Sequence, residues 1–167
     1  MVVLFHSVAT RRPEAVREEA RVFLDRFPQG AASAHSTLGD LLWRDGKHEE
    51  ALAEYRLAMD APEFQAFEAA FRRGGPRAAL VASAEHLSKR AREAGRSPNW
   101  TAIAGCYAEA GVADRAFELL DEAFASRSPQ LLHLAADPAF DGVRSDPRYD
   151  ALLRRIGIPM ARGTAAR

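Results

Sequence analysis

Cysteine is nearly absent: Cys106 stands alone among 167 residues. That excludes an internal disulfide framework and any zinc site built from cysteines. Excess charge is absent too, since lysine plus arginine and aspartate plus glutamate number 23 each. A whole-molecule attraction to nucleic acid or to an anionic membrane needs a positive surplus, so neither is an expected partner. No apolar run approaches the roughly 20 residues of a membrane span. The short apolar stretch from Val2 to Phe5 lacks the basic flank, the length and the cleavage signal of a secretion leader. The expected compartment is the cytoplasm. Missing as well is any sustained two-residue alternation of apolar and polar side chains, the mark of half-buried strands.

What is present is helical. Apolar residues recur at three and four: Val16, Ala20, Phe23 and Phe27, then Leu38, Leu41 and Leu42, then Ala51, Leu52, Tyr55, Ala58 and Met59. This spacing places them on one face of a 3.6-residue helix. Glycine and proline punctuate the pattern at Pro13, Pro28 to Gly30, Gly46, Pro62, Gly74-Gly75-Pro76, Gly95 to Pro98, Gly111, Pro129, Pro138, Pro147 and Gly157. The fold class expected is all-α. Asp137-Pro138 and Asp146-Pro147 each set a carboxylate acceptor before a proline, the pairing suited to a helix start. The last helix carries Tyr149, Leu152, Leu153 and Ile156 on one stripe, with Arg154 and Arg155 at its negative end and Gly157 as its stop.

The punctuation repeats. One segment runs His35, Leu38-Gly39, Leu42, a turn at Gly46, Ala51, Tyr55 and Pro62. A second runs Trp100, Ile103-Ala104, Tyr107, a turn at Gly111, Ala116, Leu120 and Pro129. Small residues at Gly39 and Ala104 on the first helix of each pair, and at Ala51 and Ala116 on the second, would let two antiparallel helices approach closely. Both segments follow the 34-residue tetratricopeptide pattern, W-x2-L-G-x2-Y then A-x3-F then P. The chain therefore resembles a tetratricopeptide repeat protein. The segment from Gly74 to Pro159 resembles the terminal tetratricopeptide region of bacterial signalling proteins, which include Ser/Thr kinases and winged-helix regulators. The residues that carry this are Ser97-Pro98, Ile103 to Tyr107, Asp114 to Phe117, Leu120, Ala123-Phe124, Asp137 to Tyr149 and Leu152 to Gly157. Gly142 stands where that family often has proline, and Gly111-Val112 where it has a glycine-aspartate turn. A bacterial source also suits the dominance of arginine over lysine and the abundance of alanine.

The resemblance implies a solenoid of antiparallel helix pairs closed by a C-terminal capping helix. Residues 1–130 would hold the repeats: a partial one over 1–30, a second over 31–62, an irregular one over 63–96 and a fourth over 97–130. Residues 131–159 would form the cap and 160–167 a disordered tail. Stacked repeats leave apolar faces open at their ends, hence the cap. The first helix of the first repeat would be only Val2 to Ala9, so the chain reads as the C-terminal part of a longer protein or a truncated product.

Function is expected to be binding. In this architecture the first helices of successive repeats line a concave groove, which would take Ser33, Ser36, Asp40, Trp43 and Arg44 from one repeat and Thr101, Ala108 and Glu109 from another. Trp43 and Arg44 are the expected anchors, because large planar groups give contact area at little rotamer cost; the competing reading packs Trp43 against a neighbouring helix. The lysines and asparagines of the family's carboxylate clamp are missing from these positions, which disfavours a chaperone-tail ligand. The expected protein is a non-catalytic interaction or scaffold module; the alternative is a structural or self-associating module, pairing as a homodimer through the Val2 to Phe5 edge.

No catalytic residue, cofactor or metal site is expected. Five histidines are scattered at 6, 35, 48, 86 and 133, without the i, i+4 pairing of a helical zinc site. His48 should face water and His35 should be packed. Asp137, Asp141 and Gly142 imitate part of a calcium loop, but Ala139 and Arg148 occupy places that need oxygen ligands. Ser83 and His86 lack an orienting third group. Cys106 reads as a small packing residue.

Overall fold

The computed structural model describes residues 13–27, 31–95 and 98–158, and among them every regular element is a helix. In chain order these are α1 (Pro13–Arg26), α2 (Ala31–Arg44), α3 (His48–Ala58), α4 (Ala61–Glu93), α5 (Trp100–Glu109), α6 (Ala113–Ala125), the 3-10 turns η1 (Pro129–His133) and η2 (Pro138–Val143), and α7 (Pro147–Ile156). The chain divides into two compact units, Met1–His86 and Leu87–Arg167. The division falls inside the segment read from the sequence as the irregular repeat. The Val2 to Phe5 edge, the Val2 to Ala9 helix expected before α1 and the tail expected from 160 lie outside the described residues.

In the first unit α1 packs on α2 and α2 on α3. The contacts are made where side chains are small. Ala20 and Ala34 are fully buried, with Phe23, Leu24 and Leu38 closing around them. Gly39 faces the ring of Tyr55, and Ala51 is fully buried. Tyr55 passes the contact and donates its hydroxyl to Asp40 Oδ1 at 2.9 Å.

The turn between α2 and α3 is a glycine cap. Gly46 takes φ +77°, its N–H bonds Trp43 O, and the Lys47 N–H reaches Leu42 O. Those bonds satisfy carbonyls that a helix end leaves unpaired. The same closure recurs at Gly111 after α5 and at Gly157 after α7. It recurs once more after α6, but with Arg127 at φ 53° in the glycine position.

Helix α4 is two arms. Gly74 and Gly75 leave helical geometry, Gly75 at φ 70° and ψ −165°, a region open essentially to glycine alone. A Cβ on Gly74 would lie 2.8 Å from that of Ala78. Pro76 then sits at the start of the second arm, where its missing N–H costs nothing. The chain folds back here. In a straight helix Glu63 and His86 would stand about 35 Å apart, yet ligand atoms of the two lie within 4.8 Å of each other.

In the second unit α5 packs on α6, η2 on α5 and α7 on α6. Ala104 and Ala116 are fully buried. Gly105 admits η2: a Cβ there would stand 3.2 Å from Ala139 and 3.8 Å from Phe140, and Phe140 itself is fully buried. Asp137 and Asp146 cap η2 and α7 by accepting from Ala139 N and Arg148 N, each at 2.9 Å. Tyr149 donates to Leu134 O at 2.9 Å from a buried position. Arg148 lies 4.4 Å over the Phe117 ring and donates to Asp114 at 2.8 Å. One heptad on, Arg155 repeats both contacts, 4.4 Å over Phe124 and 2.6 Å from Asp121. Because both partners advance together, α6 and α7 run in the same direction. No described helix is long and apolar enough to cross a membrane.

Candidate interaction surface

The residues expected to line a groove separate by burial. Ser33, Asp40, Arg44 and Glu109 are exposed and Ser36 is half-buried. Trp43 and Thr101 are not available: each is 6% exposed. This corrects the expectation that Trp43 anchors a ligand. Its indole instead closes a cluster of rings, 4.5 Å from His48, 5.1 Å from Phe67, 5.6 Å from Phe71 and 6.0 Å from Tyr55. Burying so large an apolar side chain among other rings outweighs leaving it in water for occasional contact. His48 is corrected with it, half-buried under Trp43 and Phe71 rather than turned to solvent. Ala108 is buried as well. His35 is half-buried, as a packed residue should be, and its Nδ1 lies 2.7 Å from Glu54.

What the first unit presents instead lies on the α4 hairpin. A shallow groove of about 430 Å³ runs beside the Gly74 turn. Ala70, Ala78, Val81 and Ala82 form its apolar lining, with Arg73 and Arg77 at the turn and Glu85 further along the second arm. Both arginines are exposed, and neither has a carboxylate partner among the described residues. Several other arginines of the first unit are paired. Arg72 bonds Glu49, which holds the Glu49 carboxyl below its ordinary range. Arg17 pairs with Glu14 and Asp45, and Arg56 with Glu68. Arg77 also stands in the first turn of the second arm, where the helix dipole disfavours a cation by about 0.3–1 kcal/mol.

No family model, curated protein or solved structure matches the chain.

A second gathering on the same hairpin joins Asp60, Glu63 and His86. Two carboxylate oxygens and a ring nitrogen all lie within 4.8 Å of one another. Asp60 is fixed by accepting the Glu63 backbone N–H at 2.9 Å. No metal site is expected from the sequence, where 26 positions separate the ends of this group. The glycine pair at 74 and 75 was the available signal, since it places Glu63 and His86 eleven positions to either side of a reversal. The tetrad Ser83 to His86 holds a hydroxyl and an imidazole, but Ser83 is buried and no hydrogen bond joins it to His86 among the described residues.

Proposed function

We propose that the chain is a non-catalytic protein-interaction module built from tetratricopeptide-type helix pairs, and that its first unit takes an acidic, amphipathic peptide segment along the α4 hairpin. The observation that carries this is the groove itself: an apolar lining flanked by two exposed arginines that lack carboxylate partners among the described residues. Apolar contact would supply affinity, while the guanidinium pair would select acidic partners and speed their encounter. The tetratricopeptide reading is supported by small residues at the helix crossings and by two matching glycine turns, at Gly46 and Gly111. It is supported too by the spacing of α6 and α7. Arg148 meets Asp114 and Arg155 meets Asp121 across 34 residues, the length of one such repeat. A place at the C-terminal end of a bacterial signalling or regulatory protein follows from the same resemblance, by analogy of fold.

The test is a titration of the full chain with three helical peptides of equal hydrophobicity carrying acidic, neutral or basic polar faces. The acidic peptide should bind, weakening about tenfold or more in Arg73→Glu and Arg77→Glu. Equal binding of all three peptides, or affinity untouched by both reversals, would remove the groove from consideration.

A further inference from the structure

The geometry points to a binding site for a single divalent transition-metal ion of the zinc type at Asp60, Glu63 and His86, clamping the two arms of α4 together. It is independent of the peptide groove, which uses other side chains. The first support is chemical. Imidazole nitrogen with carboxylate oxygens is a donor set that zinc and its first-row neighbours accept, and three protein ligands leave room for water at the remaining positions. The second is distance: the three ligand atoms already lie within 4.8 Å of one another, so small side-chain rotations bring them around one ion.

The third support is the state of the histidine. His86 Nε2 is shielded from solvent and has no hydrogen-bond partner among the described residues. Buried polar atoms of this kind are ordinarily satisfied, and an imidazole held between the arms beside two carboxylates is poised for a cation. The fourth is preorganisation. The Glu63 N–H holds one oxygen of Asp60, an outer-shell bond of the sort that orients a ligating carboxylate. Because Asp60 and Glu63 precede the Gly74–Gly75 reversal and His86 follows it, the ion would close the hairpin as a staple. Metal binding then becomes folding free energy for that hairpin.

The experiment uses the full chain, stripped with a chelator and titrated calorimetrically with zinc chloride. Expected is one ion per chain, and a melting temperature raised by roughly 5–10 °C when free zinc exceeds its Kd a hundredfold. His86→Gln and Asp60→Asn should each weaken binding about tenfold or more. Asp60→Asn lies at an exposed position and keeps a capping oxygen, so it serves if His86→Gln does not fold. The His86 ring resonances should move on zinc addition in the otherwise unchanged chain. Absence of one-to-one binding would overturn the proposal. So would a zinc affinity unaltered in both variants, or a His86 ring signal that stays put, since another histidine or Cys106 would then be the ligand.

Discussion

Gly39 lies against Tyr55 so closely that a Cβ added to it would stand 2.5 Å from Cε1 and 2.6 Å from Cδ1 of the ring. The ring cannot retreat without cost, because Tyr55 is 5% exposed and stacks edge-on to Phe67 at 5.3 Å. Gly39→Ala should therefore destabilise the first unit by about 1–3 kcal/mol, although alanine is the better helix former by about 1 kcal/mol. Urea unfolding checks this. In a Tyr55→Ala background, where the ring is gone, the same substitution should become neutral or stabilising. A Gly39→Ala penalty of the same size in both backgrounds would refute the contact as its cause.

Arg127 occupies a left-handed backbone at φ 53° where the three equivalent caps have Gly46, Gly111 and Gly157. A side chain there costs roughly 1–2 kcal/mol relative to right-handed helix geometry. The arginine head is exposed, so little packing is lost with it. Arg127→Gly should raise stability by about 0.5–1 kcal/mol, glycine's greater freedom in the unfolded chain offsetting part of the relief. A fall in the urea midpoint would show that the side chain contributes more than its strain.

Asp146 sits below the ordinary carboxylate range because the Arg148 side chain bonds its ionised form, aided by the Arg148 backbone N–H. The folded chain therefore favours the charged carboxylate more than the unfolded chain does. The resulting stability is complete above the unfolded value and is lost as pH falls through the folded one, from about pH 4 downward. Asp146→Asn keeps a capping oxygen but removes the charge. Its stability should fall less between pH 5 and pH 3 than that of the unaltered chain, measured by unfolding at each pH. Parallel curves would exclude Asp146 as a contributor to the acid limb.

Much of the local structure was legible in advance. The spacing of Val16, Ala20 and Phe23 predicts α1, the Asp-Pro pairs predict the starts of η2 and α7, and Gly46, Gly111 and Gly157 mark three helix ends. Each of these is a short-range signal, set by 3.6-residue periodicity or by backbone groups within a turn of one another. The surface was not legible in the same way. Trp43 reads as an anchor because one helix seen alone cannot show that Phe67 and Phe71, more than twenty positions on, converge on it. His86 reads as isolated for the same reason.

The sequence by itself determined that this chain is helical, where most of its helices begin and end, and which small residues could sit between them. Propensity, capping and periodicity act within a turn or two, so they are written in neighbouring residues. Tertiary structure decided which large side chains are spent on the core, which arginines remain unpaired, and that Asp60 and Glu63 meet His86. The burial of Trp43 depends on Phe67 and Phe71 returning to it from α4, and the meeting with His86 on the reversal at Gly74–Gly75. Contacts over such distances are set by how whole helices pack and reverse, which neighbouring residues alone do not specify.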